Sequence, residues 1–430
     1  MSKRQQKPCG VGSALAVGLG AIIGGSVFAT IGPAVQGAGG GAPLAYLLGA
    51  IPAYLTAYSY TRLSAAWPGV GGTMAYFNIA FGGGFISAGL NLLLVVCYAS
   101  IASLYAGVFG SYVADLFHWH SAMAQRVMAC VGIALVALVN LRRSALSEKL
   151  QRPLNICKFL VMGTFIVAAI CSPMWDWAQF SPQRWQPGGS ILITGLTIFM
   201  SFQGFELMAA IRRPFRSPQR TLPEAMALCL GIVTLYYCGM AFCTIGNVDY
   251  STASAESSYL LSAVARRFMG SSGSVLLCTG AVIAAASAMN ADVFSVSTIP
   301  EAMAEKREMP TYFLPSHRGA RALGVIFLCT LLIIFVNLLS VQELTAISSL
   351  GFLSIYTLVN AVSLKIAKGS RASTCISLLG ALVCAASAIA VAWQLFTGKD
   401  SLLLMAMTVS MLLLPFIWQA VYGLLHRRRL

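Results

Sequence analysis

From Gly10 to Tyr60 the chain runs without a single Asp, Glu, Lys or Arg. Soluble domains carry about 25% charged residues and distribute them along the chain, whereas these 430 residues are 58% hydrophobic and only 10% charged. A hydrocarbon core roughly 30 Å thick is crossed by a helix of about 20 apolar residues. The sequence offers twelve such segments, at 11–36, 42–63, 85–114, 122–140, 154–172, 189–211, 223–246, 273–302, 321–340, 343–364, 374–396 and 401–424. Lipid leaves backbone polar groups no water to bond to, so the segments are expected to be helices. The expected fold class is an all-α integral membrane protein with twelve transmembrane helices.

Lys and Arg set the orientation, because positively charged loops stay cytoplasmic. Alternate connections hold Arg142, Arg143, Lys149 and Arg152, then Arg212, Arg213, Arg216 and Arg220, then Lys306, Arg307, Arg318 and Arg321. The intervening loops hold only Arg126, Arg184, Arg266, Arg267 and Lys399. Residues 1–10 and the basic tail 425–430 are thus expected in the cytoplasm, with the chain in a bacterial-type plasma (inner) membrane. Topology accounts for the net charge of +15, so no nucleic-acid partner is expected. The basic start followed by a long apolar run reads as an uncleaved first span, since no clean cleavage site follows it.

Catalytic and metal chemistry find little support. All cysteines but Cys9 lie within or at the ends of apolar segments, and none forms a CxxC pair, so they read as small buried residues. His118, His120, His317 and His426 fall in loops, with Asp115 the sole carboxylate near the first two. No Ser/His/Asp set or carboxylate pair stands out, and Gly18-x-Gly20 has neither the spacing nor the strand context of a dinucleotide loop. The expectation is no enzyme, no cofactor, no metal, and no obligatory protein partner beyond membrane lipid.

Polar groups inside spans are costly and tend to be functional. Lys158 lies early in the fifth segment, Glu206 near the middle of the sixth, and Asn290 and Asp292 in the eighth. Lys158 has a bland alternative, snorkelling to the cytoplasmic interface. The stretch "GLGAIIGGSVFATIG" puts five glycines into the first span, and "SFQGFE" interrupts the sixth. Gly20 and Gly24 fit close helix packing; adjacent Gly24 and Gly25 before Ser26 read as a helix break. Two breaks five spans apart match the inverted-repeat plan of secondary transporters, whose interrupted helices meet a ligand near the midplane. A half-helix starting near Gly25 and Ser26 offers N–H groups to a carboxylate, and the carbonyls around Phe199 to Phe202 suit an ammonium. An α-amino acid has both groups.

The motifs "GLGAIIGGSVF", "AYSYTRLSAAWPGVGGTMAYF", "FMSFQGFE" with "SPQRTLPEA", and "SAMNADVFSVSTIPEAMAEKREMP" together resemble the amino acid-polyamine-organocation transporters over essentially the whole chain. The chain is most similar to proton-coupled, broad-specificity members with a lysine in the fifth span, matched by Lys158 in "LNICKFLVMG". The resemblance implies a leucine-transporter-like fold: a first repeat over 11–172, an inverted second repeat over 189–364, with helices 1 and 6 broken, and two further helices over 374–424. It implies that Ile23, Gly24, Gly25 and Ser26 bind the substrate carboxylate, that Phe202, Gly204 and Phe205 line the interrupted sixth span, and that Tyr98 lies near the substrate or its gate. It implies, too, that Lys158, facing Ser287, replaces a sodium ion, so that the coupling ion is a proton.

Burial disfavours a charged ammonium, so proton binding to Lys158 would switch the packing of the first and fifth spans. The sequence departs from the family pattern at "RRPFRSPQR", where Arg212, Arg213 and Arg216 stand in place of acids. Glu206 is left open as a second proton site, a counter-ion for Lys158, or a substrate-selecting group. The expected function is proton-coupled amino acid uptake by alternating access, for small neutral or glutamine-like substrates. An exchanger of the same fold and a non-transporting amino acid sensor are the alternatives.

Overall fold

The structure is a computed structural model describing residues 10–67, 72–119, 121–142, 146–209, 218–248, 253, 256–317, 319–366, 371–397 and 401–427. Fifteen α-helices are described: α1 Val11–Ile22, α2 Ser26–Ala38, α3 Ala42–Ala66, α4 Thr73–Phe81, α5 Phe85–Leu116, α6 Ala122–Leu141, α7 Leu146–Ile170, α8 Gly188–Thr197, α9 Pro218–Ile245, α10 Leu260–Val296, α11 Ile299–Glu305, α12 Ala320–Leu338, α13 Val341–Ile366, α14 Arg371–Thr397 and α15 Ser401–Arg427. Among the described residues, ten segments are long and apolar enough to cross a membrane, and the bent pair α1/α2 makes eleven. These match all the expected spans but the second. That one is the 25-residue α3, whose Tyr46, Tyr54, Tyr58 and Tyr60 make it less apolar.

Burial sorts the helices into a centre and a lipid-facing shell. In α5, 89% of the apolar window is buried, against 22% in α6 and in α15. The outer helices turn large apolar side chains outward: Val131 and Leu135 on α6, Leu382 and Ile389 on α14, Leu414 and Leu424 on α15. Apolar side chains exposed this way suit a hydrocarbon solvent. The protein is therefore an integral membrane protein. Around α5 lie α10, α6, α13, α12 and α15, while α3 packs on α9 and α10 on α7.

The sequence predicts no span over 64–84, and there the structure forms the nine-residue α4. The eighth span starts earlier than expected, at Leu260, but α10 is kinked at Gly270, where φ is +67°. Just before that kink, Arg266 donates to buried Asp115 at 2.8 Å, and Ser262 donates to the same carboxylate at 2.5 Å. Asp115 thus ties the end of α5 to α10. Among the described residues no group of His, Cys, Asp and Glu could hold a metal ion. His120 and the "RRPFRSPQR" run up to Ser217 lie outside the described residues.

Candidate functional site

The first span breaks where it is richest in glycine. α1 ends at Ile22, α2 starts at Ser26, and the two are bent by 56°. Neither Gly24 nor Gly25 takes a positive φ, so conformational freedom is not what glycine supplies. A Cβ on Gly24 would lie 2.8 Å from the Ala288 Cβ, and one on Gly25 3.1 Å from both the Ala285 Cα and the Tyr105 Cδ1. The break falls where the sequence places it, at Gly24 and Gly25, and what excludes a side chain at both is the close approach of α5 and α10. Gly18 and Gly20 have a packing role, against Met208 and Cys229 and against Asn155.

α2 has no side-chain cap, so the N–H groups of its first turn keep the unsatisfied donors that an α-helix leaves at its start. The Ser26 and Tyr237 hydroxyls, 2.9 Å apart, approach the Ile22 carbonyl at 3.1 and 3.0 Å. Tyr237, on α9, thereby braces the end of α1. Tyr237→Phe removes that hydroxyl's contacts with both Ile22 and Ser26, and a net cost of about 1–2 kcal/mol is expected, read as lower thermal stability in detergent.

The sixth span breaks differently. α8 tightens into a 3₁₀ turn over Ile198–Phe202, Gln203 is extended, and a second 3₁₀ turn covers Phe205–Met208. Between them Gly204 has φ +117°, a value L side chains rarely adopt. Its ideal Cβ would stand 3.0 Å from the carbonyl carbon of Ala21 and 3.1 Å from the Ile22 nitrogen. The two breaks therefore meet backbone to backbone. They are also linked by side chains, with Ser201 donating to the Thr30 hydroxyl at 2.9 Å. Among the described residues nothing donates to the Ser201 and Phe202 carbonyls.

Glu206 is buried, and its carboxylate accepts four hydrogen bonds: Tyr98 at 2.9 Å and Gln203 at 2.7 Å on Oε1, the Gly204 N–H at 2.9 Å and Tyr356 at 2.8 Å on Oε2. A carboxylate offers about four lone-pair sites, so the protein's own donors fill it. Glu206 thus anchors the second turn of the break to α5 and α13. Phe205 packs against Tyr60 and Tyr356, and Phe202 against Tyr237, with ring centroids 5.9, 5.4 and 5.6 Å apart. Tyr98 lies edge-on to Phe352.

Lys158 does not snorkel. It is 2% exposed, and its ammonium donates to Ser287 Oγ at 3.2 Å and Asn155 Oδ1 at 3.4 Å. Asn155 also touches α1 at Gly20, so the lysine links α7 to α10 directly and to α1 through one amide. Among the described residues the one ion pair is Arg266 with Asp115, and Glu206 is no counter-ion to Lys158 in this conformation.

The structure thus gathers Ile23, Gly24, Gly25, Ser26, Gly204 and the Ser201–Phe202 carbonyls at one junction, with Tyr98 and Glu206 bonded beside it and Lys158 with Ser287 behind α10. Sequence reasoning missed Tyr237, Tyr356 and Ser349, which accepts the Met200 N–H at 3.1 Å. Their signal was weak but present: "SSLGFLSIY" places hydroxyls inside an otherwise apolar span.

A cavity of about 870 Å³ opens at the far end of α2, lined by Gln36, Gln183, Arg184, Trp185, Gln186 and Gln342 among others. Gln342 donates to Gln36 at 2.7 Å and to Ser257 at 3.1 Å.

Comparison with known proteins agrees with this architecture. The chain is 27% identical over 382 residues to the inner membrane transport protein YbaT of Escherichia coli K12, covering 88% of each chain. It is 25% identical over 316 residues to the serine/threonine exchanger SteT of Bacillus subtilis, covering 71% of this chain and 70% of that one. It is 22% identical to the methylthioribose transporter of the same organism, over 70% of this chain and 68% of that one. The model of the amino acid permease family matches residues 10–417, and the chain belongs to that family of membrane transporters.

Proposed function

We propose that this transporter carries amino acids, with the α-carboxylate held by the first-turn N–H groups of α2 and the α-ammonium by the carbonyls of Ser201 and Phe202. The observation that carries this reading is the junction of the two breaks, an uncapped helix start beside unbonded carbonyls. A helix N-terminus favours an anion, and carbonyl oxygens accept from an ammonium. The packed rings of Phe202, Phe205, Tyr237 and Tyr356 support a small neutral side chain, and SteT, named for serine and threonine, is consistent with that.

The two breaks fit alternating access, in which one five-helix repeat rocks against the other around the site. Lys158 supplies the coupling. Its ammonium joins α7 to α10, and through Asn155 to α1, and loss of the proton weakens that tie. A proton gradient would then drive uptake across the inner membrane, with both termini in the cytoplasm. In proteoliposomes, Lys158→Gln is expected to lower pH-gradient-driven accumulation of serine or threonine roughly tenfold. Accumulation equal to wild type would overturn the coupling role. Exchange is the second reading, favoured by the likeness to SteT, which is named as an exchanger. Uptake that requires preloaded amino acid would establish it.

A further inference from the structure

Asp292 is a second buried acid in the same region, and none of the bonds above involves it. It is 8% exposed, and among the described residues its Oδ2 has no hydrogen-bond partner. On α10 it stands four residues beyond Ala288 and seven beyond Ala285, the two alanines that press on Gly24 and Gly25. Residues three, four and seven apart share a helix face, so Asp292 continues the stripe that packs on the broken first span. Ser287, which holds Lys158, is five residues away and turned by about 140° around the helix.

The groups around Asp292 explain why it needs a partner. From α5, Tyr98 and Tyr105 interact with it electrostatically, as does Glu206 from the sixth span. α7 presents Lys158, which is bonded on the Ser287 face. α12 brings Arg321, 4.7 Å from the centre of the Phe294 ring. α6 brings neutral Asn140, bonded to Asn290. α1 and α2 carry no Asp, Glu, His, Lys or Arg. Among the described residues no cation lies within ion-pair distance of Asp292. A buried carboxylate with no cation beside it and one oxygen without a donor is costlier than its neutral acid.

We propose that Asp292 carries an exchangeable proton on its carboxyl while α10 packs on the broken first span, making it a protonation site additional to Lys158. Opening the contact between α10 and the broken first span would admit water, allow the acid to release that proton, and leave a carboxylate that resists closing again. Asp292 and Lys158 thus face opposite partners of one helix, so α10 would sense protons on both sides. The proposal rests on the transport reading for its role in coupling, while the protonation is a property of the fold.

Infrared difference spectroscopy of the purified full-length protein in lipid tests it without transport. The carbonyl stretch of a protonated carboxylic acid is expected at neutral pH in wild type, lost in Asp292→Asn, and retained with a shift in Asp292→Glu. An unchanged band in Asp292→Asn would overturn the proposal. So would a sodium-dependent thermal stabilisation lost in that variant, since Asp292 would then be an ionised sodium ligand. In proteoliposomes, Asp292→Asn is expected to flatten the pH dependence of uptake and Asp292→Glu to restore it. A wild type that moves no amino acid would refute the transport reading while leaving the infrared result standing.

Discussion

Gly204→Ala is expected to weaken amino acid binding roughly a hundredfold while the protein still inserts and purifies. At φ +117°, a non-glycine residue costs about 1–2 kcal/mol. Its methyl would also press on the backbone of Ala21 and Ile22, and such overpacking costs typically about 1–3 kcal/mol. Backbone cannot rotate aside as a side chain can, so the two breaks must separate. A combined cost on the order of 3 kcal/mol corresponds to roughly a hundredfold loss of affinity. Gly423→Ala is the control, because a Cβ there meets nothing within 4 Å. Substrate-induced thermal stabilisation should vanish in Gly204→Ala and persist in Gly423→Ala. Wild-type affinity in Gly204→Ala would show that the breaks do not need to touch.

Glu206→Ala should cause the largest loss of stability. It strands four donors, from Tyr98, Gln203, Gly204 and Tyr356, in a site with little access to water. Each buried group left unsatisfied costs about 1–3 kcal/mol, so a total above about 3 kcal/mol is expected even if some donors find new partners. Glu206→Gln keeps one oxygen and the shape of the side chain, so it should fall between wild type and Glu206→Ala. Tyr98→Phe and Tyr356→Phe each remove a single donor and should cost far less. Thermal unfolding in detergent ranks the four variants. If Glu206→Ala melts no lower than Tyr98→Phe, the carboxylate is not the anchor of the second break.

Much of this architecture was legible because lipid imposes a simple rule on the chain. Long apolar runs must be helices, so all twelve expected segments coincide with described helices or helix pairs. α3 shows where hydropathy weakens: its tyrosines point Tyr46 and Tyr60 into hydrogen bonds with Thr30 and Thr73 and lower the apolar signal of the span. α4 was missed for a related reason. It follows Pro68 and several glycines and is too short to register as a span.

The breaks were legible as positions but not as causes. Gly24 and Gly25 read as a helix break, which the structure shows, but they also make room for Ala285, Ala288 and Tyr105 from distant parts of the chain. Of the glycines at the two breaks, Gly204 is the one that combines a positive φ with a close backbone. Lys158 shows the same limit, because the sequence alone could not decide between the lipid interface and Ser287. The tethers Tyr237, Tyr356 and Ser349 lie on α9 and α13, far from either break in sequence. No local pattern connects them to it.

The central claim is that the junction of the breaks recognises the α-amino and α-carboxyl groups together. The direct measurement is thermal stabilisation of the purified protein by serine, threonine and the other standard amino acids, compared with their N-acetyl and methyl ester derivatives. The account predicts stabilisation by one or more free amino acids, none by the matching derivatives, and none in Gly204→Ala. Equal stabilisation by a free amino acid and its blocked forms would contradict it.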